Sequence, residues 1–232
     1  MSTKKKNFLH YLKQLPVIIV PGVVIFFSYQ MALLSVPYLE MKHDVDFLKY
    51  KYNVYHIDYW RFGFYAHVFT SVFVLLAGAT QFTRYIIFNY PKIHKRIGYS
   101  YIWLVLFVSG PGAFAMALHA NGGLPSKTSF VLQTIMWFVF TGGAWYYAVK
   151  KKFTKHAECM LLSYSLTFAA VTLRLIKILL TQLQYHGLLK GLRPVDAYIT
   201  VAWTSWVPNM IISALLIHFG FIKWFFRKKL SN

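Results

Sequence analysis

Two histidines and an arginine sit where apolar sequence should be continuous, and each belongs to a run of polar or small residues at helical spacing. His67, Ser71, Val74, Gly78 and Gln81 recur at intervals of three and four, as do His156, Met160, Ser163, Thr167, Ala170, Arg174 and Lys177. A third run, His94, Gly98, Tyr101, Val105, Val108, Gly112, Ala115 and His119, carries a histidine at each end. Residues three or four apart share one face of a helix, so three seams are expected to face one another. An imidazole titrates near neutral pH and ligates metals or haem iron. A guanidinium holds anionic oxygens by charge-assisted hydrogen bonds. His67 and Arg174 each lie about two turns inside the outer membrane boundary, where an ionisable group is costly unless hydrated or paired.

Two candidate sites follow. The outer one is a cavity shared by His67, His119, Gln133 and Arg174. The inner one gathers Gln81, Arg84, His94, Arg96, Tyr101, His156 and Glu158. His67, His119, His94 and His156 are the candidate ligands of a haem or a metal ion. Other readings compete at each position. Gly, Ala, Ser and Thr on a seam are also what membrane helices use to pack, Arg174 and Lys177 can snorkel to the surface, and topology alone explains cytoplasmic Arg and Lys. His10, His43, His56, His186 and His218 lie in tails, in loops or off the seams. Cys159 is read as packing rather than a ligand, because its spacing from His156 and Met160 matches no metal motif.

The elements that must position these residues are transmembrane. Hydrophobic residues make up 57% of the 232 and charged residues only 13%, about half of the charge expected in a soluble domain. About 20 apolar residues cross the hydrocarbon core as a helix, and six stretches qualify: 15–36, 62–82, 97–118, 128–149, 157–180 and 197–222. The expected fold is an all-α polytopic membrane helix bundle forming one domain over residues 1–232. Its first span is too long for a signal-peptide core and lacks a small-residue cleavage site, so it is read as retained. Gly110-Pro111-Gly112 should kink the third span. The loop 37–61 is polar and Tyr-rich, suited to an interfacial helix or a lid.

The balance of 25 Lys+Arg against 6 Asp+Glu is distributed by loop. Sixteen basic residues fall in the N-terminal segment, the second and fourth loops and the tail, against seven in the loops opposite. Lys/Arg excess marks the cytoplasmic side, which puts both termini in the cytoplasm and the protein in the plasma (inner) membrane. Tyr59, Trp60, Trp103, Trp145 and Trp224 near span ends fit the interfacial belt. The expected partners are the lipid bilayer and a second copy or larger membrane complex. Nucleic acid is not among them, for no basic-aromatic or helix-turn-helix module is visible. No nucleophile elbow, phosphate loop or zinc-protease helix appears either. The single cysteine leaves no internal disulfide.

From His67 through Arg174 the chain resembles the bacterial membrane proteins grouped as domain of unknown function 2306. His67 opens a span that Gly78 and Gln81-Phe82 close; Arg84 and His94-Lys95-Arg96-Ile97-Gly98-Tyr99 follow. His156, Met160, Ser163 and Thr172-Leu173-Arg174 complete the pattern. Where the family pattern has an aromatic before the methionine, this chain has Cys159. The resemblance implies a multi-pass fold and the importance of these polar positions, with no established activity. A looser likeness is to transmembrane b-type cytochromes, with outer and inner histidine pairs. Against it, His94 and His119 lie ~37 Å apart on one helix at 1.5 Å per residue, longer than the hydrocarbon core. Three functions are therefore weighed: a redox-type protein using buried His and Arg to bind haem, metal or quinone; a small-molecule or proton-coupled transporter; and a non-catalytic accessory subunit.

Overall fold

The computed structural model describes residues 22–227, and among them every regular element is helical. Helix α1 (Gly22–Glu40) closes in a tight final turn, Val36–Glu40. Then come α2 (Asp58–Thr80), the short α3 (Arg84–Asn89), α4 (Pro91–Leu118), α5 (Gly123–Val149), α6 (Phe153–Tyr185), α7 (Pro194–His218) and the terminal α8 (Phe221–Arg227). Five of these (α1, α2, α4, α6 and α7) are long and apolar enough to cross a membrane. The expected span at 128–149 is the 27-residue α5, about 40 Å long but less apolar than the five. Gln133, a Gly pair and Trp145-Tyr146-Tyr147 dilute its hydropathy. The first expected span begins within residues 1–21, outside the described part, as do Lys4, Lys5, Lys6, Lys13, Lys228 and Lys229.

Large apolar side chains such as Phe73, Phe107, Val139, Leu179 and Ile211 are exposed along the spans, as a lipid-facing surface requires. In lipid, apolar contact gives little net drive for helices to associate, so close packing and buried polar contacts must hold them. Both are present. Helices α2 and α4 touch backbone to backbone where Gly63 meets Gly112; a Cβ on Gly112 would press into the Gly63 carbonyl and lie 3.1 Å from His67 Cβ. Gly78 lies under the rings of Tyr164 and Tyr101 with no room for a side chain. Val24 and Met31 seat α1 against Leu75 of α2 and Val171 of α6.

The expected proline kink takes a specific form. Pro111 has no N–H to give to Phe107, and just before it the chain widens to a π turn, Val105–Ser109, in which the Gly110 N–H reaches the Val105 carbonyl. The last span is also interrupted, at Ser205–Trp206, between Pro194–Thr204 and Val207–His218. Asn209 bridges that break: its amide nitrogen lies 3.1 Å from the Ser205 carbonyl and 3.0 Å from Thr172 Oγ1 on α6.

The loop after α1 is folded. Turns Asp46–Lys51 and Tyr52–Tyr55 bury Leu48 completely among Tyr38, Trp60 and Phe64. Lys51 crosses to the α4–α5 connection, donating to the His119 carbonyl and, at 2.6 Å, to Asn121 Oδ1. At the opposite end Arg84 of α3 lies over the rings of Phe88 and of Phe225 in α8, at 5.6 and 5.3 Å. The loops therefore divide into two sets at two ends of the bundle.

Gly112→Leu should lower stability by about 1–3 kcal/mol through overpacking, because the α2 backbone cannot retreat. Gly142→Ala, where nothing lies within 4 Å of the new methyl, should be neutral or stabilise by up to about 1 kcal/mol. Thermal unfolding of the detergent-solubilised variants checks the contrast.

Candidate functional site

The three seams do face inward. Val74 and Gly78 on α2 with Gln81 just past its end, Tyr101 and Val105 on α4, and Met160, Ser163 and Thr167 on α6 are all buried. Their centre is a hydroxyl cluster. Tyr101 Oη lies 2.7 Å from Ser163 Oγ and 2.8 Å from Thr167 Oγ1; Thr141 Oγ1 reaches Ser163 at 2.6 Å, and Trp137 Nε1 donates to Thr167 at 3.1 Å. Tyr101, expected in the inner cluster, is thus the hub of α4, α5 and α6. Trp137 and Thr141 were not foreseen, although Thr134, Trp137, Thr141 and Ala144 recur at 3, 4 and 3 in the sequence and all are buried.

The outer site assembles in part. His67 Nδ1 lies 3.0 Å from the Ser109 carbonyl oxygen and 3.1 Å from its hydroxyl. A carbonyl only accepts, so Nδ1 carries a proton, and in the neutral ring Nε2 is then the nitrogen with the lone pair. Arg174 stays inside the bundle, giving Nη1 to the Ala170 carbonyl at 2.7 Å, and its charge reaches the His67 ring. Lys177, one turn on, is exposed. Gln133 points to α6 instead, at 3.5 Å from the Leu166 carbonyl. That level is eight residues, or about 12 Å, from Arg174 along α6.

His119 is separate from His67. Its Nε2 is 2.6 Å from Tyr59 Oη, at the start of α2. Ser109 and His119 are ten residues apart on α4, about 15 Å, and Tyr59 and His67 are eight apart on α2. His67 and His119 therefore cannot ligate one ion. Partial burial, then Lys127 and Lys51, pull the His119 imidazole below the usual histidine range.

At the inner end His94 and His156 are close enough for the charge on one to act on the other. His156 Nδ1 lies 2.8 Å from the Ala144 carbonyl, whereas His94 Nδ1 is buried without a partner. Gln81 Oε1 packs on Gly98, 2.8 Å from where a Cβ would stand. The rest of that cluster disperses. Arg84 turns to the Phe88 and Phe225 rings, Arg96 is exposed, and Glu158 forms no ion pair among the described residues. Cys159 packs toward Gly143. Among the described residues no three His, Cys, Asp or Glu side chains group to hold a metal ion.

Ser109 is the partner that spacing arithmetic misses. The expected run steps from Val105 to Val108, whereas the residue on the inner face is Ser109, four from Val105 and three from Gly112, fully buried within the π turn.

Two outcomes test this geometry. Tyr101→Phe leaves Ser163 with Thr141, and Thr167 with Trp137, so it should cost only about 1 kcal/mol, read from chemical or thermal unfolding. The Lys51 ammonium is pushed from 10.5 down to about 8 by burial, with Lys127 adding to the effect. Its folded pKa is below its unfolded one, so the folded state binds fewer protons between those values and stability should rise with pH across that interval. The neutral amine still has N–H groups for both acceptors. Relative to Lys51→Met, the wild type should gain roughly 2 kcal/mol between pH 7 and 10, measured as paired thermal midpoints.

No curated protein and no solved structure matches the chain. A family described as predicted membrane protein, DUF2306, matches over residues 64–217, from the second turn of α2 to the end of α7. That interval holds His67, Ser109, Arg174, the hydroxyl hub and both inner histidines, and the chain belongs to this family.

Proposed function

We propose that the chain is a six-span protein of the plasma (inner) membrane, both termini cytoplasmic, that binds a quinone-type ligand at the His67–Arg174 pair in a redox role. The sidedness rests on the excess of Lys and Arg at one end, and the sixth crossing on the length of α5. The single observation that carries the ligand class is the Nδ1–H of His67 held by the Ser109 carbonyl, with the Arg174 guanidinium on the facing helix within range for its charge to act on the ring. Nε2 is left as a hydrogen-bond acceptor and Arg174 is a donor, so the pair complements a ring bearing one hydroxyl and one anionic or carbonyl oxygen. His67 takes a proton from the hydroxyl, and Arg174 holds the oxygen on which negative charge develops.

A metal ion fits these residues less well, and so does a haem held between His67 and His119. His67 and His119 are held at different depths, and no third ligand joins either histidine of the inner pair among the described residues. Transport is the second reading, favoured by the interrupted α7, since discontinuous helices line substrate paths in transporters.

Titration of the purified protein with the reduced, quinol form of a short-chain ubiquinone analogue, followed by tryptophan fluorescence, tests the first reading. His67→Gln and Arg174→Gln should each weaken binding by about tenfold or more, the worth of one charge-assisted hydrogen bond, while Lys177→Gln leaves it unchanged. Equal affinity in all four proteins, or none in the wild type, overturns it. Liposome flux abolished by the same two substitutions, without quinone binding, would establish transport in its place.

A further inference from the structure

We propose that the outer face of α4 is a binding site for one anionic glycerophospholipid of the surrounding bilayer. A groove of about 500 Å³ opens between α4 and α5, walled by Tyr99, Ile102, Trp103 and Phe107 on one side and Trp145 on the other. Its walls are almost wholly apolar, and Trp103 and Phe107 are each 58% exposed with ring centroids 6.0 Å apart. A groove this apolar on a lipid-facing surface suits an acyl chain, but by itself does not say which lipid.

The charge at its inner end does. Lys92, Arg96, Tyr99, Trp103 and Phe107 follow one another at 4, 3, 4 and 4 along α4, so one exposed stripe grades from cations through amphipathic rings to an apolar wall. Lys95 Nζ lies 5.8 Å from the Tyr99 ring centroid, which holds a third cation beside the mouth of the groove. Neither Lys92 nor Arg96 forms an ion pair among the described residues, so their charge is available to a ligand. A phosphate head with an additional anionic or hydroxylated group would meet Arg96 as a bidentate donor. The glycerol would then sit level with Tyr99 and Ser100, and one chain would run along Trp103 and Phe107. Basic residues at the membrane surface attract anionic lipid at about 1 kcal/mol each. The groove adds shape selection that a loose cationic loop lacks.

The test is lipid retention by the full-length protein in detergent, measured by native mass spectrometry. The probes are palmitoyl-oleoyl phosphatidylglycerol and phosphatidylcholine with the same chains. The wild type should keep phosphatidylglycerol over phosphatidylcholine by about fivefold or more, as one to two cationic contacts imply. Lys92→Gln with Arg96→Gln should abolish the preference, and Lys92→Arg with Arg96→Lys should restore most of it. Trp103→Ala should lower retention of both lipids. Lys151→Gln with Lys152→Gln, cations of the α5–α6 connection, should change nothing. Equal retention of the two lipids by the wild type overturns the proposal, and so does an equal loss in the Lys151/Lys152 variant, which would mean diffuse charge. Disulfide cross-linking of Trp103→Cys into dimers at a yield indifferent to added phosphatidylglycerol would assign the face to a second copy and overturn it as well.

Discussion

The hydrocarbon core of a bilayer offers no water to pair a polar group, and the cluster built on Tyr101 is the answer to that constraint. Tyr101, Ser163 and Thr167 each have more than one partner, so with Thr141 and the Trp137 indole they satisfy one another across α4, α5 and α6. Single hydrogen bonds between membrane helices are worth only about 0.6 kcal/mol on average, up to roughly 2. The greater effect is on register. A slide or rotation of any of the three helices would strand several hydroxyls in apolar surroundings, at a cost of about 1–3 kcal/mol for each unpaired group. The surrounding Val74, Val105, Met160 and Leu166 pack around the cluster, so the polar bonds select the alignment that the apolar contacts then fill.

That alignment reaches the candidate site through one backbone device. Pro111 denies α4 a hydrogen bond, the chain widens at Val105–Ser109, and Ser109, four residues past Val105, is buried on the same inner face. Opposite it, the Gly63–Gly112 contact brings α2 close enough for His67 to reach that serine. Proline, glycine and serine, each unremarkable for a membrane helix, thus combine to fix which nitrogen of one imidazole carries the proton. Arg174 arrives from the third helix, on the same seam as Ser163 and Thr167, and so inherits its position from the central cluster.

The seams on α2 and α6 were legible in the sequence because those helices are regular, and arithmetic in threes and fours follows their faces. On α4 spacing offers two continuations after Val105, three residues to Val108 or four to Ser109, and only the packing of the π turn shows that Ser109 is the buried one. The polar face of α5 was overlooked for another reason: Trp137 and Thr141 read as ordinary residues of an apolar stretch until a tyrosine and a serine from other helices give them partners. Depth was the third difficulty. His67 and His119 lie on helices that touch, yet they belong to different levels, and only the positions of Ser109 and Tyr59 separate them. The loop 37–61 reads in the sequence as polar and Tyr-rich, suited to an interfacial helix or a lid; its buried Leu48 and the reach of Lys51 to the α4–α5 connection depend on contacts far apart in the chain.

The levels along α4 also bear on how the polar groups can cooperate. His94, Tyr101 and Ser109 follow one another at seven and eight residues, so the inner histidines, the hydroxyl cluster and His67 are stacked over about 22 Å. A continuous chain of hydrogen bonds through them would be a proton path. Between the cluster and Ser109, however, stands Val105, fully buried, with Val74 of α2 likewise fully buried in the same apolar layer. No hydrogen bond among the described residues crosses that layer. An apolar layer one helical turn thick thus separates the hydroxyl cluster from His67. An imidazole–guanidinium pair set apart in this way is suited to holding a ligand and exchanging a proton with it locally. It is poorly suited to passing protons from one face to the other, and this is why binding at His67 and Arg174 is preferred to conduction as the role of the site.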